Sequence, residues 1–134
     1  MKLKIVNSKR TNNFKDAECQ NKIMSLWQEN SDFVEEALKQ SMVVACIYHD
    51  YESDYTGDYS VSLGIQSDNS TDFDTALYQS KTYPVDTQDE LGVVKTWNQI
   101  WDDEKNQLIN RVYDFDYEEY LPDGQVRIKV AVNK

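Results

Sequence analysis

Cysteine, histidine and proline are scarce here, with two, one and two copies, and each scarcity excludes something. Cys19 and Cys46 show no C-x-x-C spacing, and His49 is the lone histidine, so neither a disulfide scaffold nor a zinc site is indicated. Reduced, buried thiols are expected. No run approaches the ~18 apolar residues of a membrane span. The N-terminal stretch MKLKIVNSKRTNNF has no apolar core of a secretion signal. Both observations point to a cytoplasmic protein. Basic residues number 14 against 24 acidic ones, a net charge of −10. That argues against direct nucleic-acid binding, which needs a basic patch, and it suits a cationic ligand or simple solubility. No phosphate loop, nucleophile–base pair or metal-ligand spacing is present, so no cofactor is expected and no catalytic residue is assigned.

What the chain does have is rings: nine tyrosines and three tryptophans in 134 residues. Such rings line pockets, and they also suit half-buried strands. The length fits one domain, residues 1–134, with a real core. Leu3 and Ile5 open a first strand. Ala17 to Asn30 reads as a helix with Ile23, Leu26 and Trp27 at i, i+3 and i+4. Asp32-x-x-Glu35 predicts a capping box opening a second, short helix. Met42–Tyr51 and Asp58–Gln66 predict strands, the latter alternating Tyr59, Val61, Leu63 and Ile65 with small polar residues. Ser67–Asp74 is the most loop-like stretch and the natural midpoint. A strand over 75–85 follows, with Pro84 at an edge or an end. Thr87-x-x-Glu90 predicts a second capping box and a helix over 88–107, its stripe formed by Val93, Val94, Trp97, Ile100, Trp101 and Leu108.

The chain closes with a hairpin over 110–132. Val126, Ile128, Val130 and Val132 alternate with Gln125, Arg127, Lys129 and Ala131. Leu121-Pro122-Asp123-Gly124 supplies its turn. The order is therefore strand, helix, strand, strand, twice over, with halves of about 1–66 and 75–134. Tyr51-Glu52 and Tyr117-Glu118 each precede a hairpin turn, and Trp27 and Trp101 each sit near the end of the helix before it. This predicts an α+β fold from a duplicated βαββ unit: one antiparallel sheet, two main helices on one face, and a groove between them. Strict alternation sends Glu118 to solvent with Asp114 and Asp116, opposite Tyr113, Phe115 and Tyr117. A bulge, or a pocket on that face, turns it inward. His49 beside Asp50 reads as exposed, and Asp102-Asp103-Glu104 as a solvated helix segment.

The segments Tyr48–Tyr59, Leu63-Gly64, Trp97-Asn98-Gln99-Ile100-Trp101 and Tyr117-Glu118-Glu119-Tyr120 together resemble the GyrI-like effector-binding superfamily, whose domains also occur in AraC-type and MerR-type regulators. The likeness is strongest to integron-associated effector-binding proteins and covers nearly the whole chain. It implies the duplicated βαββ fold. It also implies a groove that binds apolar, often cationic, aromatic compounds through rings and a buried glutamate, which maps onto Glu118. Trp97, Trp101, Tyr48, Tyr51, Tyr59 and Tyr83 are the candidate rings; each also suits a packed core position. No room remains for a helix-turn-helix domain.

Three functions follow as expectations. The first is reversible binding of an amphipathic, cationic ligand, broad in selectivity because few neutral polar groups sit at the apolar positions. The second is hydrolysis of an electrophilic xenobiotic, with Glu118 as general base. The third is a gyrase-inhibitor-like protein interaction through the acidic surface.

Overall fold

The computed structural model describes residues 1–69 and 72–133. Strand β1 (Lys2–Thr11) is followed by helices α1 (Cys19–Glu29) and α2 (Ser31–Lys39) and by strands β2 (Val44–His49) and β3 (Tyr59–Gln66). A two-residue strand β4 (Phe73–Asp74), a 3₁₀ turn (Thr75–Leu77), β5 (Gln79–Pro84), α3 (Gly92–Lys105), β6 (Arg111–Tyr120) and β7 (Val126–Val132) complete the chain. The strands form one antiparallel sheet, curled into a half-barrel, in the order β4-β1-β3-β2-β6-β7-β5. Apart from β4, each half contributes three strands in mirrored order about the β2–β6 seam. This is the arrangement expected of two βαββ units.

The alternation of β3 and β7 builds the core. Tyr59, Val61 and Leu63 meet Leu26 of α1, with Val34 of α2 packed alongside. Ile128 and Val130 meet Ile100 of α3. Register carries one face across the seam: Cys46 pairs with Glu118, and Glu118 with Ile128. All three helices therefore cover the same face. Each fully buried Leu or Ile contributes about 1.5–3 kcal/mol. No helix among the described residues is long and apolar enough to cross a membrane.

The opposite face of the sheet is not left to water at its centre. Leu3, Ala45, Ile47, Phe115 and Tyr117 form a second core there, covered by Met1, Phe73 and Tyr78. The loop expected over 67–74 therefore includes β4, which pairs with β1 and brings Phe73 onto this face. Residues 70–71 of that expected loop lie outside the described residues.

Neither expected capping box forms. Helix α2 begins at Ser31, after Asn30, without a side-chain cap. Helix α3 begins at Gly92, later than expected, because the Asp86 and Asp89 side chains accept from the backbone N–H of Gln88 and Leu91. Such local turns compete with helix formation. Gly92 allows the helix start to sit against Asp86, whose carbonyl oxygen would lie 2.2 Å from an added Cβ. The Pro122–Gly124 turn forms as its chemistry dictates, with Gly124 at φ +92°.

His49 is buried, not exposed as its neighbour Asp50 suggested. Nε2 lies 2.6 Å from Ser62 Oγ, and Nδ1 lies 3.2 Å from Asp50 Oδ2. The Phe73 ring stands edge-on at 5.0 Å. Burial pushes its pKa below the ordinary 6.5, with Asp50 opposing. A neutral His49 stabilises the fold above pH ~6.5, and that contribution is lost as pH falls through the lowered pKa. The ring resonances of this lone histidine should titrate in proton NMR with a midpoint below 6.5. A midpoint at or above that value would mean that the Asp50 ion pair outweighs burial of the ring.

Candidate functional site

Helices α1 and α3 straddle the β2–β6 seam, and between them lies a cavity of about 210 Å³. Its floor is sheet and its walls are helix. Tyr48 comes from β2, Tyr59 from β3, and Glu118 and Arg111 from β6. Gln20 and Ile23 come from α1, and Val94, Trp97, Asn98 and Trp101 from α3. Tyr51 and Tyr55, from the β2–β3 connection, and Asn13 complete the lining. Six of the seven residues singled out from the sequence thus meet in one cavity: Glu118, Trp97, Trp101, Tyr48, Tyr51 and Tyr59.

Tyr83 is not brought to this cavity. It packs with Ile100, Ile128 and Val130, and its hydroxyl donates to Asp103 Oδ2 at 2.7 Å. The 102–104 acids are correspondingly not a free solvated run. Asp103 holds Tyr83, and Glu104 accepts from the Tyr113 hydroxyl at 2.7 Å.

Glu118 is 3% exposed, so the expectation that alternation sends it to solvent is overturned. The alternation itself holds, with Phe115 and Tyr117 on the opposite face, but that face is also covered. Three donors converge on the Glu118 carboxylate. The Tyr48 hydroxyl and Trp97 Nε1–H reach Oε2 at 2.7 and 2.8 Å, and the Tyr120 hydroxyl reaches Oε1 at 2.6 Å. Burial raises the Glu118 pKa, and these three hydrogen bonds oppose the rise. Burial also pushes the Tyr48 phenol well up, and the Glu118 carboxylate beside it adds to the rise, so Tyr48 remains a donor. Trp97 stands edge-on to Tyr48 at 5.2 Å. At the mouth, Tyr55 stacks on Trp101 at 5.0 Å, and the exposed Phe14 ring lies 6.0 Å from both.

Arg111 and Asp116 were not singled out from the sequence, and a bulge explains why. Arg111 pairs with Val132 and Asp116 with Val130, so five steps on β6 oppose two on β7. Tyr113, at φ +61°, sits within the extra residues. Positions an odd number apart would face opposite ways in a regular strand; here both face the helices. Arg111 Nη2 donates to Asp116 Oδ2 at 2.7 Å. Asp116 also accepts from the Tyr51 hydroxyl at 2.6 Å and from the Ala131 N–H at 2.8 Å. Burial would pull the guanidinium's pKa down, but Asp116 and the neighbouring tyrosines carry it above its ordinary value. The Asp116-x-Glu118 spacing was the one available signal that two acids share a face. Tyr55 and Asn98 lay within segments already singled out, whereas the polar Asn13 and Gln20 gave no signal. Asn13, Gln20 and Asn98 correct the expectation of a lining poor in neutral polar groups.

The fold and cavity define an α+β domain with a ring-lined groove whose single lining acid is Glu118, among the described residues. No family model matches the chain. It is 28% identical over 147 residues to the "Putative transcriptional regulator protein YobU" of Bacillus subtilis (strain 168), across 95% of this chain and 89% of that protein. Its fold is similar to that of the integron cassette protein VCH_CASS2 from the mobile metagenome of Vibrio cholerae. The TM-score is 0.70 at 22% identity, covering 98% of this chain and 95% of that one.

Proposed function

We propose that this domain reversibly binds amphipathic aromatic cations in the groove between α1 and α3. In this reading it is a small-molecule-binding domain of the regulatory, GyrI-like effector-binding type. The observation that carries the proposal is a buried glutamate at the floor of an aromatic cavity. A carboxylate in low dielectric is penalised, and a bound cation relieves the penalty. Tyr48, Trp97 and Trp101 supply apolar area and negative ring faces for the same charge. Arg111 does not cancel the attraction, because Asp116 holds its guanidinium within the wall. The likeness to a protein described as a regulator supports a sensing role. Three internal donors occupy the Glu118 carboxylate, which favours binding over general-base hydrolysis.

The test is a tryptophan-fluorescence titration with N-methylquinolinium and phenethyltrimethylammonium, using naphthalene-2-carboxylate as the anionic control. Both cations should bind with Kd on the order of 1–100 μM, and the anion should not. Trp101→Ala should weaken cation binding about 5- to 30-fold, as expected for loss of a cation–π and stacking surface. Tyr83→Phe, remote from the cavity, should change it by less than ~2-fold. Equal binding of the anion, or equal effects of the two substitutions, would remove the groove as the site.

A further inference from the structure

We propose that the cavity recognises a neutral oxygen acceptor as well as a cation, and that Arg111 Nε–H is the donor that meets it. This rests on the groove being the ligand site. Arg111 is part of the cavity wall, and its side chain is 1% exposed. Its two terminal nitrogens are engaged: Nη1 with the Tyr113 hydroxyl at 3.3 Å, and Nη2 with Asp116 at 2.7 Å. Nε is different. Among the described residues it is the one buried side-chain nitrogen or oxygen without a hydrogen-bond partner. A buried donor left unsatisfied is costly, and a ligand acceptor that meets it recovers that cost.

The surroundings select the kind of acceptor. Asp116 already balances the guanidinium, and Glu104 Oε1 lies 3.7 Å from Nη1. An incoming carboxylate would face both acids, so a carbonyl or ether oxygen suits the position better. The Arg111 guanidinium lies near the cation end of the site. Trp97 bridges the two, with its indole N–H on Glu118 and its ring 5.7 Å from the Arg111 guanidinium carbon. The ligand class is therefore an aromatic cation carrying a neutral carbonyl or ether oxygen.

Phenacyltrimethylammonium and phenethyltrimethylammonium differ only by a carbonyl in place of a methylene, and they form the test pair. The ketone should bind the wild-type protein at least ~5-fold more tightly, the gain from satisfying one buried donor. With only three arginines in the chain, ¹⁵N-arginine labelling resolves the Nε–H signals. The Arg111 signal should move downfield with the ketone and not with the methylene compound. In Arg111→Lys, which keeps a positive charge opposite Asp116 but deletes Nε–H, the ketone's advantage should fall below ~2-fold. Should that variant fail to fold, the wild-type Nε–H shift decides. Equal affinity for the two probes without a selective shift overturns the acceptor site and leaves cation binding intact. Failure of both probes to bind overturns the groove reading and this proposal with it.

Discussion

Asp116→Ala should lower the free energy of unfolding by about 3–5 kcal/mol, the expected cost of leaving one half of a buried ion pair unpaired. Asp116 is fully buried and joins three parts of the site. It neutralises Arg111, anchors the Tyr51 hydroxyl, and accepts the Ala131 N–H of β7. Alanine removes all three contacts and leaves a guanidinium without its counter-charge. Urea unfolding followed by far-UV circular dichroism measures the loss. Asp116→Asn, which keeps an acceptor but no charge, should destabilise less, and the difference isolates the electrostatic part. A loss under ~1 kcal/mol for the alanine variant would mean that Arg111 finds another counter-charge, Glu104 being the nearest at 3.7 Å.

Glu118→Gln should weaken binding of aromatic cations at least ~10-fold, since a buried charge pair is worth at least one decade of affinity. The pH dependence has a definite sign. The folded-state pKa of Glu118 lies above the ordinary 4.5 because burial disfavours its charge. Protonation removes the counter-charge, so cation affinity should fall as pH drops through that raised value and level off above it. The stability of the empty protein should run the opposite way. Glu118's contribution is fully present below its unfolded pKa and is lost as pH rises through the folded pKa. A bound cation should restore it. Isothermal titration between pH 5 and 8 checks the affinity profile, which E118Q should flatten, and urea unfolding of the empty protein over the same range checks the stability profile. Unchanged affinity in E118Q would remove Glu118 from the site.

How far the site was legible depends on how each residue was placed. Trp97 and Trp101 were visible because i, i+4 spacing puts them on one helix face whatever the helix packs against. Tyr48 and Tyr59 were visible because alternation in β2 and β3 is regular. Tyr83 looked equivalent, since it is an aromatic in a strand of the second half. It lies one strand too far from the seam, where Ile100 and Asp103 of α3 hold it. Glu118 was singled out by its aromatic neighbours and by resemblance, while its alternation argued for solvent.

The sequence by itself determined the local pieces: the Val93, Trp97, Ile100 and Trp101 stripe of α3 (Leu108, expected on it, lies past the helix end and is exposed), the alternation of β3 and β7, the Pro122–Gly124 turn and the α+β order of elements. Period and turn chemistry act over a few residues, so they are readable without a partner. Which face of each strand met water was decided only by tertiary structure. Period two separates the faces of a strand but does not say what covers either one. Phe73 and Tyr78, far away in the chain, cover the face of Phe115 and Tyr117, and they leave the opposite face free to hold Glu118 beneath the helices. His49 is buried for the same reason, through Ser62 and Phe73. Arg111 depended on tertiary structure most of all. The bulge in β6 exists only as a mismatch with β7, and without it Arg111 and Asp116 would sit on opposite faces of the sheet.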